Sequence, residues 1–250
     1  MGKPFSTYYG VLRRVHQHIR PSRYLEIGVH QGHSLAFVQP GTCAVGVDPE
    51  PMLNGDAPAN CSIVACTSDD FFLDEAHAEH RAKPFDLVFV DGLHLFEQTL
   101  ADILRAEQNC HHQSVILVHD TLPMDAETST REHSNSVWSG DVWKAIVALN
   151  RYRPDLHIHT IAADPTGLTI ITGLNPHHVD LPPWFEVAVD ELMPLGYDDL
   201  VELGMKTTLN VVPPIWPAVA PLLPDEADPD TTLLREDDGL GRCDNDPDDI

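Results

Sequence analysis

Apolar residues recur at helical spacing near the start of the chain, at Tyr8, Leu12, Val15 and Ile19. This spacing predicts an amphipathic helix, which Pro21 ends because proline cannot continue the hydrogen-bond ladder.

Five short apolar runs follow, and helical or polar stretches separate them. Several are rich in Val and Ile and show little alternation, which is typical of strands buried on both faces of a parallel sheet. The alternation of strand and helix predicts a doubly wound α/β fold. The runs are Tyr24–Gly28, Cys43–Asp48, Ser62–Cys66, Asp86–Asp91 and Ser114–His119, and the clearest helical stretch between them is His94–Cys110.

The end of the pattern differs from its start. A helix is predicted over Asp141–Leu149 with Asp141 as its N-cap, and two strands follow at His157–Ile161 and Gly167–Thr172. The connection between these strands is too short for a crossover helix, so we expect them to be antiparallel. The predicted fold is a Rossmann-like, mostly parallel sheet with a terminal antiparallel hairpin.

The pattern predicts one domain over residues 1–212. Its core spans about residues 20–175, and two helices over about 183–209 are expected to cover the sheet. Residues 213–250 are rich in Pro and Asp and are expected to form a disordered acidic tail.

The net charge of the chain limits the classes of binding partner. The chain has 39 acidic and 15 basic residues and a formal net charge of −24, so nucleic acid and anionic membranes are not expected to bind. No apolar run approaches the ~18 residues of a membrane span. The first residues contain no apolar signal segment, and we therefore expect a cytoplasmic location. The five cysteines show no zinc-binding spacing.

Polar or acidic residues follow each of the first five predicted strands. Ligands of open α/β sheets bind beyond the carboxyl ends of the strands, so five such endings suggest one shared cleft. The endings are Glu26-Ile27-Gly28, Asp48, Ser68-Asp69, Asp91 and His119-Asp120.

The first loop carries the most informative pattern, ExGxxxGxS, in Glu26–Ser34. Its glycines allow tight turning and close approach of a ligand, but the spacing differs from the GxGxxG of dinucleotide-binding loops. Asp48 ends the second strand, where a carboxylate commonly binds a ribose hydroxyl pair.

With these motifs the sequence resembles the class I S-adenosylmethionine-dependent methyltransferases over about residues 20–175. More narrowly, it resembles the metal-dependent small-molecule O-methyltransferases of the catechol and macrolide-sugar types. LEIGVHQGHS matches their first motif, VGVDPE the second and CTSDDFF the segment after the third strand. The resemblance implies contacts to the methionine part of the cofactor from Glu26, Gly28, Gly32 and Ser34, to the ribose from Asp48, and to the adenine from Ser68 and Asp69.

The resemblance also implies a metal site and a base. In the catechol-type relatives an acid at the end of strand four binds the metal, and the base follows three residues later; here these are Asp91 and His94. The second pair of ligands would be His119 and Asp120, where the relatives have Asp-Asn or two acids. Magnesium prefers oxygen ligands, and imidazole suits manganese, iron or zinc better. Either His119 binds a softer metal, or only the two aspartates bind, or no metal binds.

The expected function is S-adenosylmethionine-dependent O-methylation of a small-molecule or sugar hydroxyl, with a divalent ion such as Mg²⁺ or Mn²⁺ as a second cofactor. Two other classes stay open. One is a binding module that kept the fold without catalysis, and the other is an NAD-dependent oxidoreductase, which the glycine spacing and the terminal hairpin disfavour.

Overall fold

The computed structural model describes residues 3–133, 137–178 and 180–225. Its centre is an eight-stranded sheet in the order β3-β2-β1-β4-β5-β7-β6-β8. The strands are β1 (Arg23–Ile27), β2 (Cys43–Val47), β3 (Cys61–Val64), β4 (Phe85–Val90), β5 (Cys110–His119), β6 (His157–Ile161), β7 (Leu168–Thr172) and β8 (Val211–Val212).

Strand β7 is antiparallel to both of its neighbours, β5 and β6, and every other pairing is parallel. The structure therefore confirms the mostly parallel sheet with a terminal antiparallel hairpin. The two-residue strand β8 adds an edge that the sequence pattern did not predict, because it is too short to show a periodicity.

Helices cover both faces of the sheet. They are α1 (Tyr8–Ile19), α2 (Ser68–Leu73), α3 (Ala78–Arg81), α4 (Phe96–Gln108), α5 (Trp143–Tyr152), α6 (Trp184–Leu192), α7 (Tyr197–Glu202), α8 (Met205–Thr208) and α9 (Trp216–Val219). The second predicted covering helix is split into α7 and α8 at Gly204, whose φ of 82° interrupts helical geometry.

Alternate residues of the central strands belong to two cores. In β4, Val88 and Val90 pack in the core that contains α4 and α5, whereas Leu87 and Phe89 pack in the core that contains α1. All four side chains are buried, which explains why the strand sequences alternate so little.

Two expectations are wrong. Asp141 does not cap α5; its Oδ1 instead accepts a 2.8 Å hydrogen bond from the Phe96 amide at the start of α4. Residues 213–225 are folded rather than disordered, because Val219 and Leu223 are buried in the core beside α1. The rest of the predicted tail, 226–250, lies outside the described residues.

In the described part of the chain, no helix combines the length and the apolar character that crossing a bilayer requires.

Candidate active site

The carboxyl ends of β1, β2, β4 and β5 open into a cleft of about 950 Å³. Most of the site residues predicted from the sequence line it: Gly28, Ser34, Asp48, Ser68, Asp69, Asp91, His94, His119 and Asp120. Glu26 and Gly32 are not part of the lining.

Gly28 lies where β1 meets β4. Its φ is 88°, and a Cβ atom at this position would lie 2.0 Å from the carbonyl oxygen of Asp91. The residue has to be glycine on both counts, since the backbone is left-handed and the neighbouring chain occupies the space of a side chain. The glycine of the first motif thus lets two strand ends approach each other under the cleft.

Asp48 is held by the backbone at the end of β2. Its Oδ2 accepts a 2.7 Å hydrogen bond from the His30 amide, and its Oδ1 accepts a 2.8 Å bond from the Glu50 amide. His30 has a φ of 46°, which turns its amide toward the carboxylate. Each oxygen keeps a second lone pair, so the carboxylate is oriented and still able to accept from a ligand.

Glu26 lies beneath the cleft. The Tyr24 hydroxyl donates to its Oε2 at 2.7 Å, and the Ser34 hydroxyl donates to its Oε1 at 2.5 Å. Complete burial raises the pKa of Glu26 to about 8, although the two hydrogen bonds oppose the shift. Glu26 therefore orients Ser34, which does line the cleft.

Gln98 on α4 organises the opposite wall. Its Nε2 lies 3.2 Å from Ser68 Oγ, 2.9 Å from Asp69 Oδ1 and 3.0 Å from Asp102 Oδ1. Arg105 pairs with Asp69 from the following turn. Burial raises the pKa of the Asp102 carboxyl to about 6. Gln98 and Asp102 were not predicted from the sequence; their signal was a polar pair four residues apart, on one face of the predicted helix.

Two aspartates and two histidines form a compact cluster at the ends of β4 and β5. His94 Nε2 lies 3.3 Å from Asp91 Oδ1 and 3.1 Å from Asp120 Oδ2. His119 Nδ1 lies 3.1 Å from the same two oxygens. His94 and Asp120 have φ values of 57° and 60°, and these turns aim both side chains at the cluster.

Charges within the cluster favour protonated histidines when no cation is present. Burial by itself lowers the pKa of an imidazole, but the Asp91 and Asp120 carboxylates outweigh it and raise the pKa of His94 to about 9 and of His119 to about 10. Burial raises the pKa of Asp91, and the two histidines reverse this and hold it well below its ordinary value.

The cluster fits a divalent cation. One ligand atom from each of Asp91, His94 and Asp120 lies within 4.8 Å of the other two. Asp120 Oδ2 is buried and has no hydrogen bond of good geometry, although both imidazoles are close to it. A buried acceptor without a well-aligned hydrogen bond is costly, and a bound cation would satisfy it.

His119 is enclosed more than His94. Its ring stacks on Tyr8 at a centroid distance of 3.7 Å, and its Nε2 lies 3.4 Å from Thr166 Oγ1. The Thr166 hydroxyl also donates to Asp120 Oδ1 at 2.5 Å. Sequence analysis missed Tyr8 and Thr166, which come from α1 and from the β6–β7 connection and carry no local motif.

Comparisons with known proteins agree with this architecture. Residues 25–121 match the sequence profile of a family described as "Methyltransferase domain". No curated protein matches the chain.

Three examples are given of the solved structures that are similar to the chain. Cofactor-bound Rv0187 from MTB is 20% identical, with a TM-score of 0.52 over 66% of this chain and 78% of that one. TomG from Streptomyces achromogenes, an O-methyltransferase in complex with SAM, is 18% identical, with a TM-score of 0.51 over 67% and 80%. SAH-bound PaMTH1 from Podospora anserina is 15% identical, with a TM-score of 0.50 over 66% and 77%.

At these identities the solved structures establish the fold alone, and the sequence match runs from Leu25 in β1 to the end of β5 and includes all four residues of the cluster. Together they confirm the resemblance to the class I methyltransferases: residues 25–121 match a methyltransferase-domain profile, and the chain has the Rossmann-like fold of these solved structures.

Proposed function

We propose that the protein transfers a methyl group from S-adenosylmethionine to a hydroxyl oxygen of a small molecule, with a divalent ion held by Asp91, His94 and Asp120. The observation that carries this proposal is that a single cleft contains both the amide-held Asp48 and the Asp-His cluster. The cofactors named in the TomG and PaMTH1 structures, SAM and SAH, support the choice of methyl donor.

The cofactor lies over the ends of β1 to β3 in this proposal. Gly28 and Ser34 contact its methionine part, Asp48 accepts from the ribose hydroxyls, and Ser68 with Asp69 lies beside the adenine. Neither Glu26 nor Gly32 lines the cleft, and Glu26 acts through its hydrogen bond from Ser34.

In this proposal His94 is a metal ligand instead of the base, and His119 positions Asp91 instead of binding the metal. His119 is enclosed by Tyr8 and Thr166 and holds Asp91, whereas His94 presents Nε2 beside both carboxylates. A set of one imidazole nitrogen and two carboxylate oxygens suits Mn²⁺ better than Mg²⁺. When bound, a divalent ion lowers the pKa of a coordinated hydroxyl and orients it.

The chain's own contribution is positioning. Methyl transfer is an in-line displacement at the sulfonium methyl group, and correct alignment of two bound reactants supplies up to about 7–11 kcal/mol. Thr166 and His119 hold the two carboxylates from behind, so the acceptor meets a preorganised site.

The charge of the cleft lining limits the class of methyl acceptor. Five aspartates line the cleft, and none of its described lining residues is Lys or Arg. An acceptor that carries a phosphate or a carboxylate would be repelled, so a neutral or cationic hydroxyl compound is favoured. Tyr8, Tyr9 and Trp138 give the cleft aromatic surfaces on which a ring could stack.

The test is incubation with methyl-labelled S-adenosylmethionine and a matched set of hydroxylated rings that differ only in an ammonium, hydroxyl or carboxylate tail. We expect methyl transfer to the rings with an ammonium or a hydroxyl tail. EDTA should abolish this transfer, and Mn²⁺ should restore it. Transfer that survives EDTA but is lost in His94→Ala would make Nε2 a general base instead of a ligand.

Two outcomes would favour the other classes. Binding of S-adenosylhomocysteine without transfer to any acceptor would indicate a non-catalytic module. Binding of NAD in preference to S-adenosylhomocysteine would indicate an oxidoreductase.

A further inference from the structure

The His94 ring is fixed by a backbone carbonyl outside the cluster. Its Nδ1 lies 3.0 Å from the Trp138 carbonyl oxygen. A carbonyl only accepts hydrogen bonds, so Nδ1 carries a hydrogen and donates it. Nε2 is therefore the nitrogen that faces Asp91 and Asp120, as either a ligand or a base requires.

The chain around Trp138 is itself tied down. The Trp138 ring stacks on His94 at 5.1 Å, and its Nε1 donates to the Thr130 carbonyl at 2.6 Å. The Ser139 amide donates to the Thr128 carbonyl at 2.8 Å. These bonds hold the carbonyl where His94 Nδ1 meets it.

Gly140 brings this chain into direct contact with the His94 backbone. Its φ is 56°, and a Cβ atom there would lie 1.9 Å from the His94 carbonyl oxygen. Any side chain at position 140 would push the chain around Trp138 away from His94.

Arg131 connects the chain around Trp138 to α4 and to Asp141. Its guanidinium makes two bonds to Glu97 in the first turn of α4, at 2.6 and 2.9 Å, and a third to Asp141 Oδ2 at 2.8 Å. Asp141 is buried, and its other oxygen accepts from the Phe96 amide. Paired charges of this geometry are among the strongest polar contacts in proteins.

We propose that Arg131 and Gly140 are positioning residues that set the orientation of the His94 ring through the Trp138 carbonyl. Neither contacts an ionisable group of the cluster; Arg131 acts through the chain around Trp138, and Gly140 acts through the same chain and its close approach to the His94 backbone. The consequence for catalysis rests on the proposed function, but the orientation itself does not.

The direct test follows the His94 Nδ1 hydrogen by ¹⁵N NMR on the full chain, with His94→Gln identifying its signal. In the wild type we expect slow exchange with solvent, and at least about tenfold faster exchange in Arg131→Gln and Gly140→Ala. Arg151→Gln is the matched control, because it breaks an exposed pair with Glu191 and should leave the rate unchanged. Wild-type exchange in Arg131→Gln would overturn the proposal.

A second measurement separates positioning from a general loss of structure. Mn²⁺ affinity, measured from the free-ion electron paramagnetic resonance signal, should fall about 10–100-fold in Arg131→Gln while S-adenosylhomocysteine affinity stays the same. Unchanged Mn²⁺ affinity would count against the proposal. If Arg131→Gln does not fold, Arg131→Lys carries the test, since it keeps the charge and loses the two-pronged contact.

Failure of the proposed function looks different. A wild-type protein that binds neither Mn²⁺ nor S-adenosylhomocysteine would refute the function, and the exchange measurement would still decide the orientation of His94.

Discussion

The two halves of the cleft are built in different ways. The half over β1 to β3 is made by backbone: a glycine that admits a neighbouring strand, and amides that hold Asp48. The half over β4 and β5 is made by side chains, with each of two histidines close to both of two aspartates at 3.1–3.3 Å.

This difference determines how each half should respond to change. A backbone cradle depends on local geometry and tolerates changes of side-chain charge outside it. A cluster of buried charges depends on every partner, because removing one leaves another buried and unpaired. We therefore expect substitutions in the second half to affect turnover most and substitutions in the first half to affect cofactor affinity.

The largest effect is expected for Asp91→Asn. The change removes one charge shared by His94 and His119 and should lower kcat by about 10²–10³-fold, while S-adenosylhomocysteine affinity changes little. Steady-state kinetics and calorimetry measure the two quantities. Turnover at the wild-type rate would place the chemistry elsewhere in the cleft.

Gly28→Ala tests the point where the halves meet. Positive φ costs about 1–2 kcal/mol for a residue with a Cβ atom, and the collision with Asp91 adds about 1–3 kcal/mol. Gly204→Ala is the matched control, since Gly204 has a similar φ of 82° but its surroundings leave open space for a Cβ atom, with no neighbour within 4 Å. Denaturant unfolding should show the larger loss of unfolding free energy in Gly28→Ala, and equal losses would contradict the role of the contact.

Asp48→Ala tests the half of the cleft over β1 to β3 separately from the cluster. A lost hydrogen bond to the charged carboxylate is worth about 1.5–3 kcal/mol, so the loss of even one should lower S-adenosylhomocysteine affinity at least about tenfold, and Mn²⁺ affinity should stay unchanged. Asp56→Ala, at an exposed position outside the cleft lining, serves as the control. Calorimetry with unchanged affinity in Asp48→Ala would refute the ribose assignment.

The last prediction concerns the buried Glu26 carboxyl, which lies beneath the half of the cleft over β1 to β3. The pKa of Glu26 is about 8 in the folded protein against 4.5 for an ordinary glutamate, so the folded state binds more protons between these values. Stability should therefore fall as pH rises from about 4.5 to 8 and level off above it. Glu26→Gln should flatten this part of the Tm profile, whereas Glu75→Gln at an exposed position should not. A profile that is equally steep in Glu26→Gln would show that Glu26 is charged when folded.

Most of the fold was predictable, because buried strands and amphipathic helices have characteristic hydrophobic periods. The strand ends then placed Asp48, Asp91 and Asp120 at one edge of the sheet, since parallel strands share the edge at which they end. The expected disorder from residue 213 was wrong because it was inferred from composition, which does not show which side chains become buried. Residues 213–225 contain several prolines, yet their apolar side chains are buried beside α1.

The surroundings of His94 and His119 separate most clearly what the sequence determined from what packing determined. The sequence by itself determined that His94 and His119 lie at neighbouring strand ends, because that follows from strand order. Only the tertiary structure decided which side chains surround each ring, since Tyr8, Trp138 and Thr166 reach the cluster from α1 and from two distant connections. Contacts between residues so far apart in sequence leave no periodicity or motif, and they form only when the chain packs.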